Sequence, residues 1–283
     1  MTRAMRVRRL RALAASIPSP GAAAVFHAIR WALPRGHRAY PTRAGWLYLD
    51  VSESLMMLMR VLRRYEPDKH RALAHVLRPG MTFVDVGACK GDFTLFAAAR
   101  VGPSGRVVAV EPEPANATWL RRSIARNAAQ HADVHELALS DVSGPGILHR
   151  VDVSAGAHFS SGLHSMVAGA PGPRDALEIA TQTLDDLLAR LGIVQVDVIK
   201  IDVEGWEAAV LRGAAATLTR QPNPPVVLMD LHPDLGVNPK AVAEILRGYR
   251  YETFAMSAPT QPLEVDGRTV ELVARQRGAP AGA

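Results

Sequence analysis

The stretch VDVGACKGDF, residues 84–93, decides the fold because it sets two glycines four residues apart directly after an apolar run. The run MTFVDVGA (81–88) predicts a buried strand, and DFTLFAAARV (92–101) predicts an apolar helix. A strand, a glycine loop and a helix in this order form the unit that meets ligands in open parallel sheets. We therefore expect this loop to lie at a binding site.

The rest of the chain continues the alternation of strands and helices. Further strands are predicted at 105–112, 133–140, 196–205 and 224–232, with possible last strands at 250–256 and 268–274. Helices are predicted at 117–130, 206–218 and 239–249, and a short one begins near Thr183. This order predicts an α/β fold with a mostly parallel, doubly wound sheet. Residues 149–180, rich in Gly, Ser, Pro and His, are expected to form an irregular excursion.

The glycine loop excludes two common ligands. A phosphate-binding P-loop needs Lys-Ser or Lys-Thr after its second glycine, whereas Gly91 is followed by Asp-Phe. A dinucleotide loop needs Gly-x-Gly-x-x-Gly, whereas the spacing here is Gly87-x-x-x-Gly91. Asp85 and Asp92 flank the loop and would repel a pyrophosphate.

A phosphate-free ligand fits these residues better. Glu111 ends the second strand, twenty residues after Gly91, where an acid can accept hydrogen bonds from ribose hydroxyls. S-adenosylmethionine has a ribose, an ammonium and a sulfonium, and it has no phosphate. The loop is therefore predicted to bind S-adenosylmethionine.

Charge is concentrated at the N-terminus. Residues 1–49 hold nine arginines and no acid, which leaves 24 basic and 27 acidic residues elsewhere in the 283-residue chain. Such an arm suits an anionic membrane, a nucleic acid, an acidic partner, or solvent alone. No apolar run reaches the ~18–20 residues of a membrane span, and the N-terminal pattern is a poor signal peptide. We predict a cytoplasmic protein whose arm can contact anionic membranes peripherally.

From Pro79 to His232 the sequence resembles the FkbM-type family of S-adenosylmethionine-dependent methyltransferases. The motifs that carry the resemblance are VDVGACKGDFTL, VVAVEPEP, ALSD, TLDDL, DVIKIDVEGWEAAVLRG and VVLMDLH. It implies a Rossmann-like class I methyltransferase fold with a seven-stranded sheet in residues 79–283, preceded by a basic arm and helical extension in residues 1–78. It also implies methyl transfer to oxygen on a sugar, glycolipid or specialised metabolite. Two departures are Cys89-Lys90, where Asn is frequent, and Asp230, where Glu is frequent.

The resemblance also assigns residues to the cofactor. It implies that Asp85, Gly87 and Gly91 surround the methionine moiety and that Glu111 binds the ribose. The turn flanking the adenine would be Ala138, Leu139, Ser140 and Asp141. In the excursion, paired serines and histidines suit hydrogen bonding to a polyol acceptor, although each would equally suit a surface loop: His158, Ser160, Ser161 and His164.

Chemistry is expected at the ends of the fourth and fifth strands. Asp202, Glu204 and His232 are the candidates for the base that removes a hydroxyl proton, and histidine titrates nearest neutral pH. Glu204 could instead favour a helix N-terminus, and His232 could be a strand-end hydrogen-bonding residue. A rival mechanism places Mg²⁺ on Asp202 and Asp230, and we favour the metal-free version.

Three other functions were weighed. A nucleic-acid methyltransferase is suggested by NPPV (223–226), but this motif follows the wrong strand and lacks the aromatic residue that stacks a flipped base. A nicotinamide oxidoreductase lacks its glycine pattern. A non-catalytic S-adenosylmethionine-binding protein would not need the intact acids at Asp85, Glu111 and Asp202. No nucleic-acid partner is expected.

Overall fold

The computed structural model describes residues 25–26, 28–152, 162–170 and 174–277. Predictions that fall on other residues, including most of the basic arm, lie outside the described part. Within that part no helix is both long and apolar enough to cross a bilayer.

The strands of the described residues are β1 (Arg38–Pro41), β2 (Trp46–Leu49), β3 (Thr82–Val86), β4 (Arg106–Val110), β5 (Ala132–His135), β6 (Ala138–Leu139), β7 (Gly144–Val151), β8 (Arg174–Gln182), β9 (Val198–Ile201), β10 (Val226–Asp230), β11 (Tyr251–Ala255), β12 (Ala258–Pro262) and β13 (Glu271–Gln276). The α-helices of these residues are α1 (Leu55–Val61), α2 (Pro67–Val76), α3 (Asp92–Val101), α4 (Pro114–Arg126), α5 (Leu184–Arg190), α6 (Glu207–Arg212), α7 (Ala215–Arg220) and α8 (Pro239–Gly248). Two short 3-10 helices span Arg30–Ala32 and Pro233–Leu235.

The central sheet has the order β12-β11-β13-β10-β9-β3-β4-β5. The five strands from β10 to β5 pair in parallel, and β13, β11 and β12 pair antiparallel at the other end. The predicted mostly parallel sheet is confirmed. It has eight strands where seven were expected, because residues 258–262 fold back on β11 and add an edge strand.

Alternating side chains of the sheet enter two separate apolar layers. Phe83 and Val107 pack with α3 and α4, whereas Val84 and Val108 pack with α5, α6, α7 and α8. Val84 lies opposite Val108 in the parallel register, so the alternation is in phase across the strands. Near-continuous apolar strands are the signature of a sheet covered on both faces, and the doubly wound arrangement is confirmed.

The extension before the central sheet packs against the first of these layers. Phe26, Leu47 and Met57 are at most 2% exposed and belong to the same apolar cluster as Phe83. The extension is only partly helical, since β1 and β2 form an antiparallel hairpin ahead of α1 and α2. The hairpin is tied to α4 where the amide of Tyr48 donates to Ser123 Oγ at 3.1 Å.

Three local predictions were wrong. The strand expected at 133–140 divides into β5 and β6, and β6 joins β8 and β7 in a separate three-stranded sheet. The described ends of the expected irregular excursion instead form the β7–β8 hairpin, whose backbone groups pair along an eight-residue register. The helix expected at 206–218 divides into α6 and α7 near Gly213, where a Cβ would lie 2.0 Å from the carbonyl oxygen of Ser140.

Candidate active site

The site lies where the strand order reverses, between β3 and β9. The amide of Asp202 donates to the carbonyl of Val86 at 3.1 Å, so the loops that follow the two strands touch. Gly87 has φ +76°, and a Cβ on it would lie 1.9 Å from the carbonyl oxygen of Asp202. Gly91 has φ +88°, and its Cβ would lie 2.2 Å from Leu120. The protein's own packing therefore requires both glycines.

The two aspartates that flank the loop are buried and contact other side chains of the protein. Asp85 is completely buried; it accepts a hydrogen bond from Thr94 Oγ1 at 2.6 Å and lies 3.3 Å from Lys200 Nζ. Asp92 is 4% exposed and lies 2.9 Å from His70 Nε2. Asp85 thus supports the glycine loop through Thr94 and Lys200, and its place around the methionine moiety stays a prediction.

Glu111 fixes the glycine loop from the end of β4. Its carboxylate accepts from the amides of Cys89 at 2.8 Å and Glu113 at 3.0 Å, and from Asn116 Nδ2 at 3.2 Å. Burial raises its pKa, and these hydrogen bonds oppose the shift. The same side chain lines a cavity, and its contact with a ribose stays a prediction.

The first cavity, which we call the cofactor cavity, contains about 540 Å³ of space, part of which is open to solvent. Glu111 lies in its wall, and apolar groups supply much of the rest: Val86, Val110, Pro112, Leu137, Ala138, Leu139, Leu148, Met166, Val203 and Trp206. An acid for ribose hydroxyls beside an apolar wall for a neutral adenine fits S-adenosylmethionine.

Half of the predicted adenine turn reaches this cavity. Ala138 and Leu139 line it, and Ser140 and Asp141 do not. Ser140 Oγ instead accepts from Trp206 Nε1 at 3.1 Å, and Asp141 pairs with Arg212 at 3.0 Å. The turn therefore positions Trp206, a cavity residue that the sequence reasoning missed although it stands in the quoted motif DVEGWE.

The predicted acceptor-binding residues are placed only in part. His164 lines the cofactor cavity, and its Nδ1 accepts from the amide of Val151 at 3.0 Å. His164 does not line the second, adjoining cavity that is described next, so it lies in the wall of the cofactor cavity alone. His158, Ser160 and Ser161 lie outside the described residues.

A second cavity, which we call the acceptor cavity, adjoins the first and contains about 1000 Å³ of space, part of which is open to solvent. The residues common to both walls are Gly87, Cys89, Gly162, Asp202 and Glu204. The extension forms one side of the acceptor cavity with Met56, Arg60, Tyr65 and Glu66. The other side consists of strand ends and the loops that follow them, including Asp230, Leu231, His232, Asp234, Val270 and Glu271. Two ligands bound in these cavities would meet at Asp202 and Glu204.

His232 lies at this meeting point between three carboxylates. Its Nδ1 is 2.6 Å from Glu207 Oε1, and its Nε2 is 3.5 Å from Glu204 Oε2 and 3.7 Å from Asp202 Oδ1. Burial by itself lowers the pKa of His232, but the bond to Glu207 and the charges of Glu204 and Asp202 raise it to about 9. Because Glu207 is fully buried, it holds one ring nitrogen and leaves Nε2 toward the cavity.

The two acids beside His232 differ in protonation. Burial and the charge of Asp202 raise the pKa of Glu204 to about 8. Burial opposes ionisation of Asp202 as well, yet Lys200 and Lys69 hold its pKa well below the usual range. Glu204 has φ +50°, in the left-handed region, and its carbonyl accepts from Ser165 Oγ at 2.5 Å. Strained residues of this kind cluster at functional sites.

Lys69 on α2 balances the acids at the strand ends and was missed by the sequence reasoning. It is 2% exposed, forms ion pairs with Glu66 and Asp230, and lies 3.7 Å from Asp202. Burial and the neighbouring Asp202 raise the pKa of Asp230, and Lys69 opposes that shift. Asp202 and Asp230 lie more than 130 residues after Lys69 in the sequence, so no local sequence pattern could identify this cluster.

Two groups of possible metal ligands lie here among the described residues, one of Asp202, Glu204 and His232 and one of Glu66, Asp202 and Asp230. Within each group the candidate ligand atoms are at most 4.8 Å apart. In the second group the Lys69 ammonium already lies among the carboxylates. A cation of the protein therefore already lies beside Asp202 and Asp230, the pair that the rival metal mechanism assigns to Mg²⁺.

Fold and site together define a class I S-adenosylmethionine-dependent methyltransferase. The model of the Methyltransferase FkbM domain matches residues 85–253, and the chain belongs to this family. A curated relative, 31-O-demethyl-FK506 methyltransferase FkbM of Streptomyces tacrolimicus, is 30% identical over 228 residues, covering 72% of this chain and 83% of the relative.

Solved structures show weaker likenesses. A methyltransferase FkbM from Methylobacillus flagellatus aligns with a TM-score of 0.43 at 16% identity, covering 88% of this chain and 57% of that one. A precorrin-6y C5,15-methyltransferase from Geobacter metallireducens aligns with a TM-score of 0.45 at 13% identity, covering 74% of this chain and 87% of that one.

Proposed function

We propose that the enzyme methylates a hydroxyl group of a sugar, glycolipid or specialised metabolite. The observation that carries the proposal is the position of His232 Nε2, which faces Asp202 and Glu204 where the two cavities share a wall. A base at that boundary is what methyl transfer to an alcohol requires. The printed name of the curated relative, a 31-O-demethyl-FK506 methyltransferase, supports an oxygen acceptor.

The residues divide the work of this reaction between positioning and proton removal. Bound S-adenosylmethionine supplies an activated methyl group on its sulfonium. Neutral His232 accepts the hydroxyl proton at Nε2, while Glu207 holds Nδ1 and stabilises the imidazolium that forms. Asp202, kept ionised by two lysines, adds negative charge beside that imidazolium. Orientation across the shared wall supplies the rest of the acceleration.

A metal-free reaction is part of the proposal. Lys69 supplies the positive charge among Glu66, Asp202 and Asp230, and His232 supplies a base that needs no metal-activated alcohol. We expect turnover to persist in EDTA. Loss of activity in EDTA with rescue by Mg²⁺ would contradict this part and favour Asp202 and Asp230 as ligands.

The proposal is tested with S-adenosylmethionine labelled in its methyl group and a panel of hydroxylated acceptors. We expect label in a product that survives mild alkali, because a methyl ether is stable where a methyl ester is not. His232→Ala should lower turnover by roughly 10²–10⁴, as for a lost general base, with cofactor affinity retained. Label released by alkali, or an unaffected His232→Ala enzyme, would contradict O-methylation by this base.

We also propose peripheral contact with anionic membranes through the N-terminal segment. Trp31 is 70% exposed, and the guanidinium groups of Arg30 and Arg35 lie 5.3 and 5.2 Å from its ring centroids. An exposed tryptophan beside arginines suits the interface of an anionic bilayer. The cytoplasmic location predicted from the sequence stays a prediction.

A further inference from the structure

Arg60, on α1 of the extension, is a buried cation in the wall of the acceptor cavity. It is 5% exposed, and no carboxylate of the described residues lies within ion-pair distance of its guanidinium. Its Nε has no hydrogen-bond partner among those residues. The contacts it does make are with the Tyr65 ring, 3.6 Å from the centroid, and with Met57 Sδ at 3.7 Å.

A charge in this position is costly unless an anion joins it. Burying an unpaired ion destabilises a protein even after it relaxes, and a cation–π contact offsets only part of that cost. Other buried cations near the strand ends have polar partners, since Lys69 contacts Glu66 and Asp230, Lys200 contacts Asp85, and Lys90 donates to Asn116 Oδ1 at 2.6 Å. Arg60 has no ion pair among the described residues and its Nε has no hydrogen-bond partner, although it lines a cavity. This combination indicates a ligand that carries the missing negative charge.

The anion does not belong to the acceptor. Six acidic side chains line the same cavity, and those of them that are ionised would repel an acceptor with a phosphate or carboxylate: Glu66, Asp202, Glu204, Asp230, Asp234 and Glu271. The methionine end of S-adenosylmethionine carries a carboxylate together with an ammonium and a sulfonium, so its net charge suits these acids. Gly87 and Cys89 of the glycine loop line both cavities and bring that end within reach of the wall that holds Arg60.

We propose that Arg60 binds the carboxylate of S-adenosylmethionine, so that the extension completes the cofactor site. The inference rests on the proposed function only for the identity of the cofactor. Arginine is suited to this task because its planar guanidinium can donate two parallel hydrogen bonds to a carboxylate. The contact adds a positive group to a site whose other described charged residues are mostly acids.

The test compares two ligands that differ in one group, S-adenosylmethionine and its decarboxylated form, which keeps the sulfonium and the ammonium. Calorimetric titration should show that the wild-type protein binds the first about 10- to 100-fold more tightly, the range of a charge-assisted contact. Arg60→Met should remove this preference by weakening S-adenosylmethionine while leaving its decarboxylated form unchanged. Arg64→Met, an exposed arginine three residues beyond α1, is the matched control and should keep the preference.

Each other outcome overturns the inference. Equal weakening of both ligands by Arg60→Met would show a structural role, and an undiminished preference would show that the carboxylate lies elsewhere. If Arg60→Met fails to fold in a thermal unfolding scan, Arg60→Lys is read instead, and it must lower the preference without affecting the decarboxylated ligand. A wild-type protein that binds neither ligand would refute the cofactor assignment and the inference together, whereas normal binding without transfer to any hydroxyl would refute only the proposed function.

Discussion

Replacing Glu207 by glutamine should change the charge state of His232 without changing the shape of the site. Glu207 is fully buried, and its Oε1 lies 2.6 Å from His232 Nδ1 and accepts from the amide of Gly205 at 3.0 Å. A glutamine oxygen can keep both contacts. What the substitution removes is the negative charge that favours the imidazolium form.

The size of the effect follows from that single bond. A hydrogen bond to a charged group contributes about 1.5–3 kcal/mol and a neutral one about 0.5–1.5 kcal/mol, so the protonated form loses on the order of 1.4 kcal/mol. One pKa unit corresponds to about 1.4 kcal/mol, so the pKa of His232, about 9 in the native protein, should fall by about one unit. Asp202 and Glu204 remain and keep the pKa above its ordinary value.

The shift is measured by an NMR titration of the imidazole and by the pH dependence of turnover. Because neutral His232 is the base, activity should rise with pH through its pKa, and the rising limb should move about one unit lower in Glu207→Gln. The raised pKa also stabilises the fold below pH 6.5, its ordinary pKa, and this stabilisation is lost as pH rises through about 9. The variant should therefore be less stable at pH 6 and closer to wild type at pH 10.

Glu244→Gln, on the exposed face of α8, is the matched control and should leave the titration unchanged. An unchanged or higher pKa of His232 in Glu207→Gln would refute the reasoning, because the charge of Glu207 would then not set the protonation of the base.

Three further predictions concern the charge network, the cofactor and the N-terminal segment. Lys69→Met should destabilise the protein by about 3–5 kcal/mol, the cost of leaving buried carboxylates unpaired, and Asp230→Asn in the same chain should recover part of the loss. Denaturant unfolding measures both effects, and equal stability of Lys69→Met and wild type would contradict the prediction. Glu111→Ala should weaken S-adenosylmethionine by about 1.5–3 kcal/mol, the scale of lost charge-assisted hydrogen bonds, which calorimetry measures; unchanged affinity would remove Glu111 from the ribose site. Removal of residues 1–24 together with Trp31→Ser should abolish sedimentation with anionic vesicles while cofactor binding persists. The deletion stops before residue 25, and not at residue 35, because Phe26 and Leu33 are buried. Equal sedimentation of the truncated variant and the wild-type protein would refute the membrane contact.

The glycine loop shows how far local pattern reaches. Its sequence was sufficient to predict a strand, a turn and a helix at a site where the strand order reverses, and the structure has them. The reason inferred for its glycines was incomplete, since Gly87 faces the Asp202 backbone and Gly91 faces Leu120. Both positions require glycine because a larger side chain would collide with these neighbours. The neighbours are distant in sequence, so the sequence pattern does not reveal them.

The strand ends show the opposite limit. Asp202, Glu204 and His232 were identified from their positions after predicted strands, and in the structure a carboxylate oxygen of each acid lies within 3.7 Å of His232 Nε2. The partners that set their charge were not identified. Glu207 was taken as one more residue of a helix, and Lys69 lies 161 residues from Asp230 along the chain.

The sequence by itself determined the alternating strands and helices of the parallel part of the sheet, the location of the glycine loop and the acids at the strand ends, because hydrophobic alternation and glycine spacing are local properties of a chain. Only the tertiary structure decided which of those acids stay ionised and which histidine nitrogen faces the cavity. It also decided that the extension supplies Arg60 and Lys69 to the site. Protonation depends on burial and on charges within a few ångströms, and folding alone sets those distances between residues far apart in the sequence.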